Sequence, residues 1–218
     1  MNRRPSPLLR PRPQPAGRRD AVNQRESASS PDADEAPEPL RATDLKRQRR
    51  ADRRDLPAGR RLAFLLENVA YPVNVGSLFR IADACGAEVM ALAGTTPEPS
   101  GSPNFQRASR GKEAELPWRH FSDSGAALDW LLELGFTPVA VELTDRARPY
   151  HLVTLPPATA LVLGNEEHGV TRACLARCPQ QVYVPMLGQG ASLNVHVAAA
   201  VVAFRARYPG SEPSKPAT

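Results

Sequence analysis

From Leu161 to Phe204 the chain carries two apolar runs, each ending in a polar turn that contains glycine, and the second turn opens a long apolar stretch. The segment reads L-V-L-G-N-E-E-H-G-V, a short spacer of helical pattern, then V-Y-V-P-M-L-G-Q-G-A-S-L-N-V-H-V-A-A-A-V-V-A-F. Short continuous apolar runs bounded by turn residues suit strands buried on both faces, as in a parallel sheet. In such sheets ligands sit at the carboxyl ends of strands, where Gly, Glu, Ser and Asn stand here.

The same alternation extends upstream. The pattern predicts strands at Leu62–Leu66, Glu88–Ala93, Pro138–Leu143, Ala160–Gly164 and Gln181–Val184. It predicts helices at Val75–Ala84, Ser124–Leu134, Thr171–Ala176 and from Ser192 to about Arg207, with Gly86 and Gly135 as stop signals. The stretch T-T-P-E-P-S-G-S-P-N-F-Q-R-A-S-R-G-K reads as a long loop. The β-α-β order implies an α/β fold with a mostly parallel sheet flanked by helices. Residues 59–210 form the expected domain. Residues 1–58, rich in Pro, Arg, Ala, Asp and Ser, read as a mostly disordered tail, and residues 211–218 as a frayed end. The tail's last part, A-T-D-L-K-R-Q-R-R-A-D-R-R, suits a short basic helix, either an RNA contact or a solubilising segment.

Charge follows the same division. Residues 1–60 hold 15 basic and 9 acidic side chains, a net of +6, and the remainder holds 13 and 14, a net of −1. Attraction to a polyanion therefore starts with the tail or with local patches such as Arg107, Arg110, Lys112 and Arg119. No apolar run reaches the roughly 18 residues of a membrane span, and the N-terminus lacks a signal-peptide core. Three sparse cysteines, Cys85, Cys174 and Cys178, fit reduced thiols in a cytoplasmic protein. Cys174 and Cys178 have no second Cys/His pair nearby, so packing is the expected role and no metal is implied.

Three constellations bear on chemistry. Asn74 stands at a strand-to-helix junction, in the position of an N-cap, and Arg80 follows six residues later among Leu78, Phe79, Ile81 and Ala82. An Arg in so apolar a stretch either has a defined anionic or carbonyl partner or snorkels to solvent. G-N-E-E-H-G, residues 164–169, follows a strand directly. Gly164 permits close backbone approach to a ligand, and Glu166 and Glu167 suit the start of the next helix. In V-P-M-L-G-Q-G-A-S-L-N-V, Ser192 suits an N-cap and Asn194 the first helical turn, where free N–H groups make a polar pocket. The G-x-G of Gly188 and Gly190 is a weak nucleotide signal.

Taken in order, these motifs resemble those of the SPOUT superfamily of RNA methyltransferases, and within it the TrmH-like (SpoU) ribose 2′-O-methyltransferases. The first family motif matches Pro72, Asn74, Gly76 and Arg80. The second matches Gly164, Glu166 and Gly169. The third matches Val184-Pro185-Met186 and Ser192-Leu193-Asn194. The likeness covers roughly residues 61–208. The third motif often continues N-V-S, and His196 stands here at that serine. No folded N-terminal RNA-binding domain is expected ahead of the matched region, where the Arg/Pro tail stands.

The resemblance implies a C-terminal deep trefoil knot, an exception to usual chain topology. It implies S-adenosylmethionine as cofactor, contacted by Gly164, Val184 and Leu193 through backbone groups and by Leu163 and Met186 at the adenine. It implies a homodimer whose subunits complete each site, and tRNA or rRNA as substrate. Arg80 is then the essential catalytic residue, Asn74 orients it or the ribose, Glu166 fixes the knot loop, and Ser192 and Asn194 shape the reacting site. Guanidinium is a poor proton acceptor, so Arg80 holding a phosphate and a developing alkoxide is the alternative to its acting as base. A catalytically silent RNA-binding relative is the alternative function.

Overall fold

The computed structural model describes residue 39 and residues 41–99, 101–190 and 192–209. The expectations for residues 1–38 and 211–218 lie outside the described residues.

Among the described residues, seven strands form one parallel sheet. They are β1 (Arg61–Glu67), β2 (Val89–Ala93), β3 (Trp118–Phe121), β4 (Thr137–Val141), β5 (Arg148–Pro149), β6 (Ala158–Leu163) and β7 (Gln180–Tyr183). Their spatial order is β3-β2-β1-β6-β4-β7-β5. The chain lays down β1, β2 and β3 toward one edge and β4 beyond a gap. The later β6 fills that gap, and β7 enters between β4 and β5. Every predicted strand is present, and β3 and β5 are additional.

Alternation along β1 sorts the two faces. Leu62, Phe64 and Leu66 join one core with Met90, Leu92, Val139, Leu161, Leu163 and Val182. Ala63 and Leu65 join the other with Ala91, Ala93, Ala140, Ala160 and Val162. The first face is covered by α2 (Pro72–Ala84), α3 (Pro103–Ser109) and α6 (Val195–Arg207). The second, built largely from alanines, is covered by α4 (Ser124–Glu133) and α5 (Arg172–Leu175), with Leu128, Leu131, Cys174 and Cys178 against it. The buried positions of Cys174 and Cys178 agree with their expected packing role. Each fully buried Leu or Phe contributes on the order of 1.5–3 kcal/mol, so both faces are needed to offset chain entropy.

The basic segment of the tail is helical, α1 (Ala42–Arg54), and none of its residues is buried. The stretch expected as a loop holds α3 and a 3-10 turn at Lys112–Ala114. Pro103 starts α3 because its fixed φ and missing N–H suit the first helical position. α3 crosses α2 at Gly76, where a Cβ would stand 2.6 Å from the carbonyl oxygen of Phe105 and 3.0 Å from the Cβ of Ala108. Gly76 in the first motif therefore serves helix packing.

α2 and α6 are joined at their carboxyl ends by Arg207, which is only 8% exposed. Its Nε donates to the carbonyl of Cys85 at 2.6 Å, and its terminal nitrogens donate to the carbonyls of Arg60 and Gly86. Cys85 caps the end of α2, where carbonyls lack helical partners, so the guanidinium fills that need. Burial lowers the pKa of this guanidinium from its ordinary value.

Two substitutions test this packing by urea unfolding. Gly76→Ala gains about 1 kcal/mol in helix propensity yet loses about 1–3 kcal/mol to the clash with α3, so a lower midpoint is expected. A raised midpoint would show that α3 yields freely. Arg207→Met leaves buried carbonyls unpaired and is expected to cost about 3 kcal/mol. An unchanged midpoint would mean that water replaces the guanidinium.

Candidate active site

The chain's own backbone makes the closest approach to Gly164, which follows β6. A Cβ there would lie 2.2 Å from the carbonyl carbon of Gly169 and 2.3 Å from the nitrogen of Val170. The loop closes through paired backbone bonds, Asn165 N–H to Gly169 O at 3.1 Å and Gly169 N–H to Asn165 O at 2.9 Å. Gly169 has φ 67°, and a Cβ there would meet the Glu142 carboxylate at 2.4 Å. Both glycines are thus required for closure as well as for access.

Side chains at the strand ends hold this loop in place. Glu142, after β4, accepts from the N–H of Val170 at 3.0 Å. Glu67, at the end of β1 and 1% exposed, accepts from Thr171 N–H at 2.8 Å, Thr171 Oγ1 at 2.7 Å and Ser124 Oγ at 2.6 Å. Asn165 donates to the carbonyl of Asn68 at 2.8 Å, and its Oδ1 accepts from the N–H groups of Glu167 and His168. Sequence reasoning misses Asn165, Glu142 and Glu67. Asn165 lies inside the glycine turn and is open to such a reading, whereas nothing local to Glu142 or Glu67 signals a contact to so distant a loop.

Glu166 does not serve the next helix, which begins only at Arg172. Its carboxylate reaches back to the start of α2. It accepts from Ala70 N–H at 2.9 Å, Tyr71 N–H at 3.3 Å and Asn74 Nδ2 at 2.6 Å. Burial raises its pKa, but these hydrogen bonds and one from its own backbone outweigh burial and hold it below the ordinary carboxylate value. Glu166 is therefore ionised at neutral pH.

Two cap expectations are corrected. Asn74 is not the N-cap of α2. Tyr71 holds that position, Pro72 starts the helix, and Asn74 is buried in the first turn at 3% exposure. α6 starts at Val195, so Ser192 lies before it, and Asn194 is the cap, accepting from His196 N–H at 3.1 Å. Asn194 Nδ2 also donates to Asn74 Oδ1 at 3.3 Å. Asn74 thus connects Glu166 to Asn194.

Beside this network, at the carboxyl ends of β4, β6 and β7, lies a cavity of about 780 Å³. Asn74, Glu166, Ser192 and Asn194 line it. Leu163, Gly164, Val184, Met186 and Leu193 also line it. Tyr71, Glu142, Asn165 and Tyr183 belong to it as well, unforeseen in the sequence. Met186 and Leu193 are 39% and 37% exposed, so apolar surface stands open on this side. Among the described residues, no backbone N–H from Met186 to Leu193 donates a hydrogen bond within the chain. Apolar walls with unclaimed backbone groups suit a nucleoside-bearing cofactor such as S-adenosylmethionine. Arg80 is the exception among the expected site residues. It is exposed on α2, does not line the cavity, and has no hydrogen bond or ion pair among the described residues.

Residues 61–204 match the model of the SpoU rRNA Methylase family. A tRNA (guanosine(18)-2′-O)-methyltransferase of Thermus thermophilus is 38% identical over 146 residues, covering 67% of this chain and 74% of that protein. The 23S rRNA (guanosine(2553)-2′-O)-methyltransferase RlmP of Bacillus subtilis is 31% identical over 147 residues, covering 67% of this chain and 58% of that protein. The SpoU methyltransferase AviRb from Streptomyces viridochromogenes, solved in complex with AdoMet, superposes with a TM-score of 0.60 at 27% identity. That match covers 68% of this chain and 57% of AviRb, so the chain spans less than two thirds of that structure's length. The matched region contains all seven strands and all three sequence motifs, and the chain belongs to the SpoU methylase family.

Proposed function

We propose that this protein transfers a methyl group from S-adenosylmethionine to the ribose 2′-hydroxyl of a nucleotide in tRNA or rRNA. The observation that carries this reading is the meeting of Asn74, Glu166, Ser192 and Asn194 at one cavity that Leu163, Val184, Met186 and Leu193 also line. The relatives named above, tRNA and rRNA 2′-O-methyltransferases, support it.

S-adenosylmethionine, when bound, supplies an electrophilic methyl on a sulfonium, and the protein's task is to place and activate the oxygen. Leu163 and Met186 would flank the adenine, and Gly164, Val184 and Leu193 would offer backbone groups. Glu166 and Asn194 hold Asn74 in one orientation. Ser192 borders the reacting end. Arg80 would hold the neighbouring phosphate and stabilise the developing alkoxide with its planar fork of donors.

Arg80 stands outside its own chain's cavity, which favours a homodimer in which it serves the partner's site. Apolar groups beside the site are free for that contact. Tyr71 and Val73 are 49% and 45% exposed, and Val197 and Phe204 on α6 are 40% and 45% exposed. A C-terminal trefoil knot is part of the same reading. Its support is the sheet order, in which β6 and β7 are each inserted between strands laid down earlier. Among the described residues no helix is long and apolar enough to cross a membrane, and a cytoplasmic site of action suits an RNA substrate.

For RNA binding, α1 is better placed than the folded domain's own cations. Lys112 bridges Asp83 and Glu115, Arg107 is held by Asn104, and Arg119 lies over Phe121. α1 displays Lys46, Arg49, Arg50 and Arg53 on an exposed helix, with Arg47 and Arg54 paired to Asp44 and Asp55.

Arg80→Ala is expected to abolish ribose methylation while S-adenosylmethionine binding, measured by calorimetry, stays nearly unchanged. A fully active variant would remove Arg80 from the mechanism. Deleting residues 1–55 is expected to weaken RNA binding and flatten its dependence on salt, by about 0.7–0.9 in log–log slope for each phosphate that the tail no longer neutralises. An unchanged slope would show that the tail binds no phosphates.

A further inference from the structure

The cavity carries an exposed aromatic ring that nothing above uses. Tyr71 lines it and is 49% exposed. Among the described residues its hydroxyl makes no hydrogen bond and its ring meets no other ring. Phe204 and Tyr208 are as exposed, and neither lines the cavity. The same holds for Val73 and Val197. The subunit contact can therefore draw on Val73, Val197 and Phe204, and Tyr71 differs from all three in facing the site. Tyr183, the other tyrosine of the cavity, is half-buried at the end of β7.

The root of this ring is pinned. Pro72 follows it and keeps Tyr71 extended, at φ −93° and ψ 121°. Its N–H donates to Glu166 at 3.3 Å, and its carbonyl accepts from the N–H groups of Asn74 at 2.9 Å and Val75 at 3.1 Å. The Glu166 carboxylate that holds this N–H also takes Asn74 Nδ2 at 2.6 Å. Asn74 Oδ1 faces the other way, 3.3 Å from Asn194 Nδ2 and 3.1 Å from His196 Nδ1. One carboxylate thus fixes the backbone under the ring relative to the amide network of the site. A nucleotide whose ribose enters a cleft leaves its helical stack, and its base then shows bare faces to water. Proteins that bind unstacked nucleotides cover such faces with aromatic side chains, because every base has a π-face. Tyrosine supplies that surface with only two rotatable bonds to order.

We propose that Tyr71 is a substrate-binding residue on which the base of the methylated nucleotide stacks. The inference rests on the ribose methyltransferase reading and adds to it a contact for the RNA at the cavity itself. The cofactor's adenine has Leu163 and Met186 in that reading, which leaves the Tyr71 ring for the RNA. Stacking is tolerant of base identity, so Tyr71 supplies placement of the nucleotide and not the choice of base.

The test is the rate of ribose 2′-O-methylation at limiting RNA in wild type, Tyr71→Phe and Tyr71→Leu, with total RNA from a strain that lacks this protein as the probe. Phenylalanine keeps the ring and should stay near wild type. Leucine keeps apolar bulk without a π-face and should lose roughly 5- to 150-fold, the range of one base on one aromatic ring. Affinity for S-adenosylmethionine by calorimetry and oligomeric state by light scattering should be unchanged in both variants. A leucine variant as fast as wild type would overturn the proposal, and so would a phenylalanine variant as slow as the leucine one. Weakened cofactor binding in the leucine variant would give the ring to the adenine, and a changed oligomeric state would give it to the subunit contact; either result overturns the proposal. Proton NMR of the tyrosine rings is an arm that needs no activity. The chain has 4 tyrosines, and the Tyr71 signals are those missing from Tyr71→Phe. With S-adenosylhomocysteine present, mixed-sequence single-stranded RNA oligomers should move these signals upfield, and an abasic ribose-phosphate oligomer should not. No shift, or equal shifts with both, would overturn the proposal. Wild type that methylates no RNA ribose would overturn the function and the proposal together. Loss confined to the leucine variant bears on Tyr71 alone and supports the proposal.

Discussion

The carboxylate of Glu166 is the contact on which the site depends. It reaches from the loop after β6 to the start of α2, 92 residues earlier in the chain at Asn74. One end of α2 would otherwise offer unpaired N–H groups to a cleft lined with apolar side chains. The carboxylate meets that need with its charge intact, and in doing so sets the amide of Asn74. Once Asn74 is set, the orientations of Asn194 and His196 follow. A short polar chain of four residues thereby fixes the relation between the loop, α2 and α6.

Two other carboxylates act in the same way on this loop. Glu67 at the end of β1 and Glu142 after β4 accept the N–H groups of Thr171 and Val170. Strands flanking β6 on both sides thus grip the segment that β6 leads into. A loop so held can have two glycines folded back on each other without fraying. The cavity wall is rigid where the loop is gripped. It is open along Met186–Leu193, where the backbone makes no such bonds among the described residues.

Much of this is legible in the sequence. Apolar runs such as L-A-F-L-L and L-V-L locate β1 and β6 because strands buried on both faces need no polar alternation. Gly164 and Glu166 follow β6, Ser192 and Asn194 lead into α6, and all four line one cavity. The errors share a cause. Asn74 and Ser192 look like caps because Asn and Ser favour caps locally, but Asn74 is held by Glu166, and Asn194 takes the cap expected of Ser192. The stretch containing α3 looks like a loop from its Pro, Gly and Ser content. Pro103 gives its helix a local start, but the packing that holds it, with Gly76 on α2 letting Phe105 and Ala108 come close, is a tertiary effect. His196 stands out in the sequence only as a departure from the family pattern, since its link to Asn74 spans 122 residues.

α2 and α6 are tied at both ends. Asn194 and His196 at the start of α6 meet Asn74 near the start of α2, and Arg207 at the end of α6 meets Cys85 at the end of α2. Two helices running side by side and stapled top and bottom behave as a single plate. Arg80 sits on that plate between the staples, so its backbone is fixed while its exposed side chain, without a hydrogen bond or ion pair among the described residues, is free to meet a group brought beside α2. Its reach is set by the framework that shapes the cavity, and whatever it serves must be carried to it.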